Sequence, residues 1–249
     1  MKHALFVAAT LVVLAYSPVF AADGIKITVG DTAPSAQTQT QSDGATQEAT
    51  TGRAHEVAAG ATVDITANHT QINQTQNRSA DATQFADVGI AEGLTGSSTA
   101  NITVNNASIT QSQTASEAGF QQANVGWVSA LANHAQVDVA ANRVNITQTQ
   151  TNADLSVQSA EVGRVHDVDG ATIDIQVSDI DITQQQDGVS GAEQLVQIGA
   201  VIGEPGNPIH TNASINVMNA GAVVQEQTAS NNAQQTVRIG VLTNGAYYP

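Results

Sequence analysis

The residues that could carry acid–base or metal chemistry are few in this sequence. Beyond residue 21 the histidines are His55, His69, His134, His166 and His210, and the densest alternating acids are Asp174, Asp179 and Asp181. Catalysis needs such groups to converge, with a nucleophile, a base and an orienting partner. His55 and His166 instead occupy a recurring position, three residues after a glycine, where equivalent segments carry Glu92, Ser129 and Ile202. A position whose identity changes from copy to copy reads as a solvent face. The three aspartates could line a calcium edge, yet no glycine-rich nonapeptide turn accompanies them, so they too read as solvated. No nucleophile motif, zinc spacing or phosphate loop is present. The expectation is a protein that is not an enzyme, with no catalytic, cofactor-binding or metal residues.

The residues with fixed spacing are glutamines, whose chemistry is hydrogen bonding. A Gln-x-Gln pair stands at Gln37 and Gln39, Gln74 and Gln76, Gln111 and Gln113, Gln148 and Gln150, Gln184 and Gln186, and Gln225 and Gln227, at spacings of 37, 37, 37, 36 and 41 residues. A third glutamine follows each pair, at Gln47, Gln84, Gln121, Gln158, Gln194 and Gln235. Four residues later comes a β-branched residue and a glycine, as in Val125-Gly126, Val162-Gly163 and Ile198-Gly199. Six copies of this four-part signature define a repeat protein.

The elements that must position these glutamines follow from the intervening residues. Val137, Val139 and Ala141 alternate with polar residues, and equivalent triplets recur at Ala100, Ile102 and Val104 and at Ile173, Ile175 and Val177. A period of two indicates strands. Asn68, Asn105, Asn142 and Ser178 interrupt the phase, where a turn or bulge with left-handed backbone is expected. Alternation then resumes through Ile146, Gln148 and Gln150. Each repeat therefore reads as about four short strands. Extended at about 3.3 Å per residue, a repeat would run roughly 120 Å, so it must bend into one layer of a stack.

In Ile146-Gln148-Gln150 and its counterparts the glutamine face is constant, whereas the other face varies from Asn73-Thr75-Asn77 to Thr183-Gln185-Asp187. The glutamines are thus expected inside. Layers stacked about 4.8 Å apart would place each amide above its counterpart, donating to one neighbour and accepting from the other. A ladder of that kind satisfies groups that would cost about 1–3 kcal/mol each if buried unpaired. Threonine arrays such as Thr147, Thr149 and Thr151 suggest ice binding, but the array is not kept in every copy.

Composition sets the surroundings. Residues 1–21 read as a secretory signal peptide: Lys2, an apolar run, and small residues before an expected cut after Ala21. The chain has no cysteine, so no disulfide would stabilise an exported product. Beyond the leader six basic residues face 22 acids, a balance that disfavours nucleic acid and anionic lipid. No later segment has the roughly 20 apolar residues of a membrane helix, so no membrane insertion is expected.

With a leader and imperfect Gln-, Asn-, Ala- and Gly-rich repeats, residues 35–242 resemble the subunits of bacterial functional amyloids, the curlins and, in repeat length, the Fap-type fibre subunits. The likeness is architectural and does not extend to the curlin motif or to a C-terminal cysteine pair. It implies an exported, extracellular or surface-bound structural protein that stacks head to tail with itself in biofilm fibres, served by a nucleator or an outer-membrane secretion partner. The alternative is a monomeric surface adhesin or holdfast-type anchor that binds carbohydrate or protein. The expected organisation is an all-β solenoid of six layers over 35–242, after a flexible segment at 22–34 and before a tail at 243–249. An insertion of four or five residues is expected to loop out around 204–208.

Overall fold

The computed structural model describes residues 25–29, 35–40, 46–77, 81–114, 118–130, 134–152, 154–167, 170–188, 190–203, 212–228 and 232–244. The expected leader, the prolines of 204–208 and the tail residues 245–249 lie outside the described residues, as does His210.

The described chain is all β and forms a solenoid of six layers. Layer one holds β1 (Ile25–Val29), β2 (Ser35–Thr40) and β3 (Thr46–His55); layer two holds β4 (Thr62–Asn68), β5 (Gln71–Asn77) and β6 (Thr83–Leu94). Each later layer has two strands: β7 (Thr99–Thr114) and β8 (Phe120–Ala130), β9 (Gln136–Thr151) and β10 (Val157–His166), β11 (Thr172–Asp187) and β12 (Glu193–Gly203), β13 (Asn212–Thr228) and β14 (Gln234–Asn244). Every pairing is parallel and between adjacent layers. One sheet runs β1-β4-β7-β9-β11-β13 with β2 and β5 alongside; the other runs β3-β6-β8-β10-β12-β14.

Register follows the repeat. Gln148 pairs with Gln111 on one side and Gln184 on the other, and Ile146 with Ile109 and Ile182. Equal side chains therefore form columns. Inside, Ile102, Ile109, Ile146, Ile175 and Ile182 are fully buried between the two sheets, with Ala100, Ala141 and Val162 filling the narrow places. Burying each such Ile is worth about 1.5–3 kcal/mol, which lets a core of small and β-branched residues hold the stack without disulfides.

Three details differ from the expectation. The four short strands per repeat are, from layer three onward, two long strands with one bend each, because the backbone ladder continues through the corner. One bend is the repeat glycine: Gly89, Gly126, Gly163 and Gly199 all have φ between +61° and +68°. Glycine serves there for two reasons, since a Cβ on Gly163 would also lie 2.7 Å from Val177 Cγ2. The other bend is one residue after the expected interrupter, at His69, Asn106, Arg143 and Asp179, with φ of +51° to +56°. Asn68, Asn105, Asn142 and Ser178 instead bond between layers: Asn105 Nδ2 donates to Asn68 Oδ1 at 3.0 Å and Ser178 Oγ to Asn142 Oδ1 at 3.0 Å.

The boundaries shift as well. Ile25–Val29, expected within a flexible segment, is a strand paired with Val63–Ala67 of β4, and β14 continues two residues past 242. The long fifth spacing is divided. The offset is 36 from His166 to Ile202, 40 from Thr172 to Asn212 and 41 from Ile182 to Val223. Four extra residues thus lie between Ile202 and Asn212. The fifth makes a bulge near Gly221, where the Ala222 amide donates to Asp181 Oδ1 at 2.9 Å.

Candidate functional site

The glutamines form three ladders near one turn of the cross-section. In the first, Gln74, Gln111, Gln148, Gln184 and Gln225 each donate from Nε2 to the Oε1 of the glutamine one layer below, starting from Gln37, at 2.8–2.9 Å. In the second, Gln113, Gln150, Gln186 and Gln227 continue from Gln76 at 2.8–2.9 Å. In the third, Gln84, Gln121, Gln158, Gln194 and Gln235 continue from Gln47 at 2.8–3.0 Å. Gln39 pairs in backbone register with Gln76, and its side chain lies outside the described residues.

Most of these amides also tie the two sheets together. Gln148 Nε2 donates to Ser159 O at 2.9 Å, and Gln184 Nε2 to Leu195 O at 3.0 Å. Gln111, Gln113, Gln121, Gln148, Gln150 and Gln158 are all fully buried. A one-residue slip would carry Thr149 inside and break the bonds in both directions.

The ladders are polar objects, since every donor belongs to the later layer. At layer six the Oε1 atoms of Gln225, Gln227 and Gln235 accept no hydrogen bond among the described residues. Around them Val237, Ile239 and Leu242 are 45–55% exposed, whereas their equivalents in layers two to five are buried. The two ends are not alike. In layer one Ile27, Val29, Gln37 and Gln47 are buried, although β1, β2 and β3 pair with strands on one side only among the described residues. The side chains of layer six, unlike those of layer one, lie bare at their end of the stack.

The acid–base candidates do not converge. His55 is exposed, with its ring nitrogens 3.8 Å from Glu56 and Glu92 carboxylate oxygens. His166 pairs with Asp167 at 2.6 Å, and burial pushes its pKa down. Asp174 accepts from Gln176 Nε2 at 3.1 Å, while Asp179 and Asp181 stand at the exposed surface.

Sequence reasoning missed the outer face of the second sheet. The glycine bends make that face concave, so its outward side chains meet one another. Arg53 donates to both carboxylate oxygens of Glu92 at 2.8 Å and lies 3.5 Å from Glu48 and 3.9 Å from Asp87. Asn124 Nδ2 donates to Asp87 Oδ1 at 2.8 Å, and Gln122 Nε2 to Asn124 Oδ1 at 3.2 Å. Burial pushes the Asp87 carboxyl up to about 6, against the opposing pull of Asn124 and Arg53. One layer on, Arg164 and Glu161 form a buried ion pair at 2.5 Å. A signal was present: polar and aromatic residues flank the repeat glycine on outward positions, in Asn124-Val125-Gly126-Trp127 and Glu161-Val162-Gly163-Arg164.

No protein-family model, curated protein or solved structure matches the chain.

Proposed function

We propose that the protein is an exported, non-catalytic structural subunit that stacks head to tail with further copies of itself, building an extracellular fibre or adhesive surface layer for attachment. The carrying observation is the end of the stack. Layer six ends in glutamine oxygens without donors among the described residues, beside exposed Val237, Ile239 and Leu242 in columns that are buried in the layers before it. The partner that fits this edge is another layer of the same kind, with Gln37 and Gln39 over Gln225 and Gln227 and Gln47 over Gln235, a junction that requires Gln37 and Gln47, buried in the single chain, to become accessible. The ladder polarity matches, because layer-one amides are on the donor side of such a junction. Contacts between unlike ends propagate without closing. Export rests on the leader-like residues 1–21, and the structural role on the repeat.

Substitutions in layer six test this reading. Ile239→Lys with Gln235→Lys charges the open edge while leaving layers one to five intact. The variant should fold and remain monomeric by sedimentation under conditions in which the parent chain, residues 22–249, assembles. Equal assembly of the two would defeat the proposal.

The alternative, a monomeric adhesin or anchor, gains support from the outer cleft around Trp127. That feature lies on the side of the stack and is compatible with either assembly state.

A further inference from the structure

The cleft on the concave face of layers one to three has a volume of about 310 Å³, with Glu48, Phe85, Asp87, Gln122, Asn124 and Trp127 in its lining. Its polar groups are only partly committed to one another. Arg53 is occupied by Glu92, and Asp87 holds Asn124. The Trp127 indole N–H is buried and has no acceptor among the described residues. The partly exposed Trp127 ring lines a space bounded also by Phe85, the Gln122 amide and the half-exposed Glu48 carboxylate.

These groups define a ligand by its chemistry. Trp127 and Phe85 offer aromatic surface, which suits a molecule with an apolar face. Gln122, Asn124 and Glu48 offer both acceptors and donors at its edges, which suits hydroxyl groups. Three carboxylates, Glu48, Asp87 and Glu92, surround the single Arg53 cation, so an acidic ligand is repelled. Sites that combine aromatic walls with few placed polar groups are the usual form of small-ligand pockets. In layer four the buried Glu161–Arg164 pair occupies the columns of Asn124 and Trp127 and closes the cleft there. Two steps of about 4.8 Å remain, the length of a short sugar chain.

We propose that this cleft binds a neutral oligosaccharide, with Trp127 and Phe85 against the apolar faces of the sugar rings and Asn124, Gln122 and Glu48 on their hydroxyls. The side wall of the stack stays open whether or not its ends are joined, so the site would serve single molecules and fibres alike.

Trp127 is the one tryptophan of the chain, so its fluorescence reports on this cleft alone. The full chain from residue 22 is titrated with soluble trisaccharides of N-acetylglucosamine, glucose and mannose, and with trigalacturonate as the acidic probe. At least one neutral probe should change the emission saturably at millimolar concentration or below. Asn124→Ala and Gln122→Ala should each weaken that probe about tenfold with an unchanged circular dichroism spectrum. Trp127→Ala, followed by calorimetry, should weaken it at least as much, since the ring surface against the sugar is lost. The inference is overturned if no neutral probe binds, if only trigalacturonate binds, or if the folded variants bind as tightly as the parent.

Discussion

Gln148 Nε2 lies 2.8 Å from the Oε1 of Gln111, a residue 37 positions earlier, and Gln111 makes the same bond at 2.9 Å to Gln74. One chemical period and one structural period therefore coincide, and the ladder holds each layer in register with the next.

The faces of β9 should respond oppositely to charge. Gln148→Lys places an ammonium where both ladder bonds are lost, and the fold should lose about 3–5 kcal/mol. Thr149→Lys, on the outer face, should change stability by about 0.5 kcal/mol or less. Denaturant titration of the two variants decides it, and similar losses would refute the inward placement of the ladder.

The repeat glycine should be intolerant for a steric reason beyond its backbone angle. Gly60 and Gly163 have φ of +77° and +64°, but a Cβ on Gly60 meets nothing within 4 Å, whereas on Gly163 it meets Val177 at 2.7 Å. Gly60→Ala should cost about 1–2 kcal/mol, from the left-handed conformation alone. Gly163→Ala should cost at least about 1 kcal/mol more, because overpacking is added. Equal midpoints in denaturant would contradict the close approach at the bend.

Asp87 gives a pH dependence with a definite sign. Its carboxyl is raised from an ordinary 3.8 to about 6, first by burial. The folded state therefore holds a proton that the unfolded chain releases between those values. Stability from this group is greatest below about pH 4 and falls by up to about 3 kcal/mol as pH rises through 6. Asp87→Asn keeps an acceptor for Asn124 and should flatten that part of the profile while raising stability at neutral pH. Thermal melts at pH 4, 5, 6 and 7 check both statements.

Stacked layers should be removable as units. Deleting residues 111–147 joins Thr110 to Gln148 in phase and should leave a shorter protein with the same circular dichroism signature per residue. Deleting residues 111–128 puts the ladders out of step and should abolish cooperative melting. Identical behaviour would mean that the layer is not the folding unit.

The ladders and glycine bends were legible because buried positions in a stack admit few side chains, so Gln150 and Gly163 recur at fixed spacing. Strand β1 carried the right alternation in Ile25, Ile27 and Val29, but it stands before the first glutamine pair and a residue out of the 37-residue phase with Val63. The left-handed bend was misplaced by one residue because Asn142 was the better candidate by type; Arg143 takes the strain and Asn142 the interlayer bond. The outer cleft was legible only as polar and aromatic residues beside the repeat glycine, because Asp87, Asn124, Glu161 and Gln197 share a column without sharing an identity. Only the concavity produced by the glycine bend brings them to Arg53 and Trp127.

Fibre diffraction of the purified chain from residue 22, held at micromolar concentration near neutral pH, tests head-to-tail stacking most directly. Unbranched fibres should form after a lag, with reflections near about 4.7 and about 10 Å. Seeds should shorten the lag, and added salt should shorten it too by screening repulsion between acidic copies. A protein that stays monomeric for days at every salt concentration, with seeds present, would contradict the account.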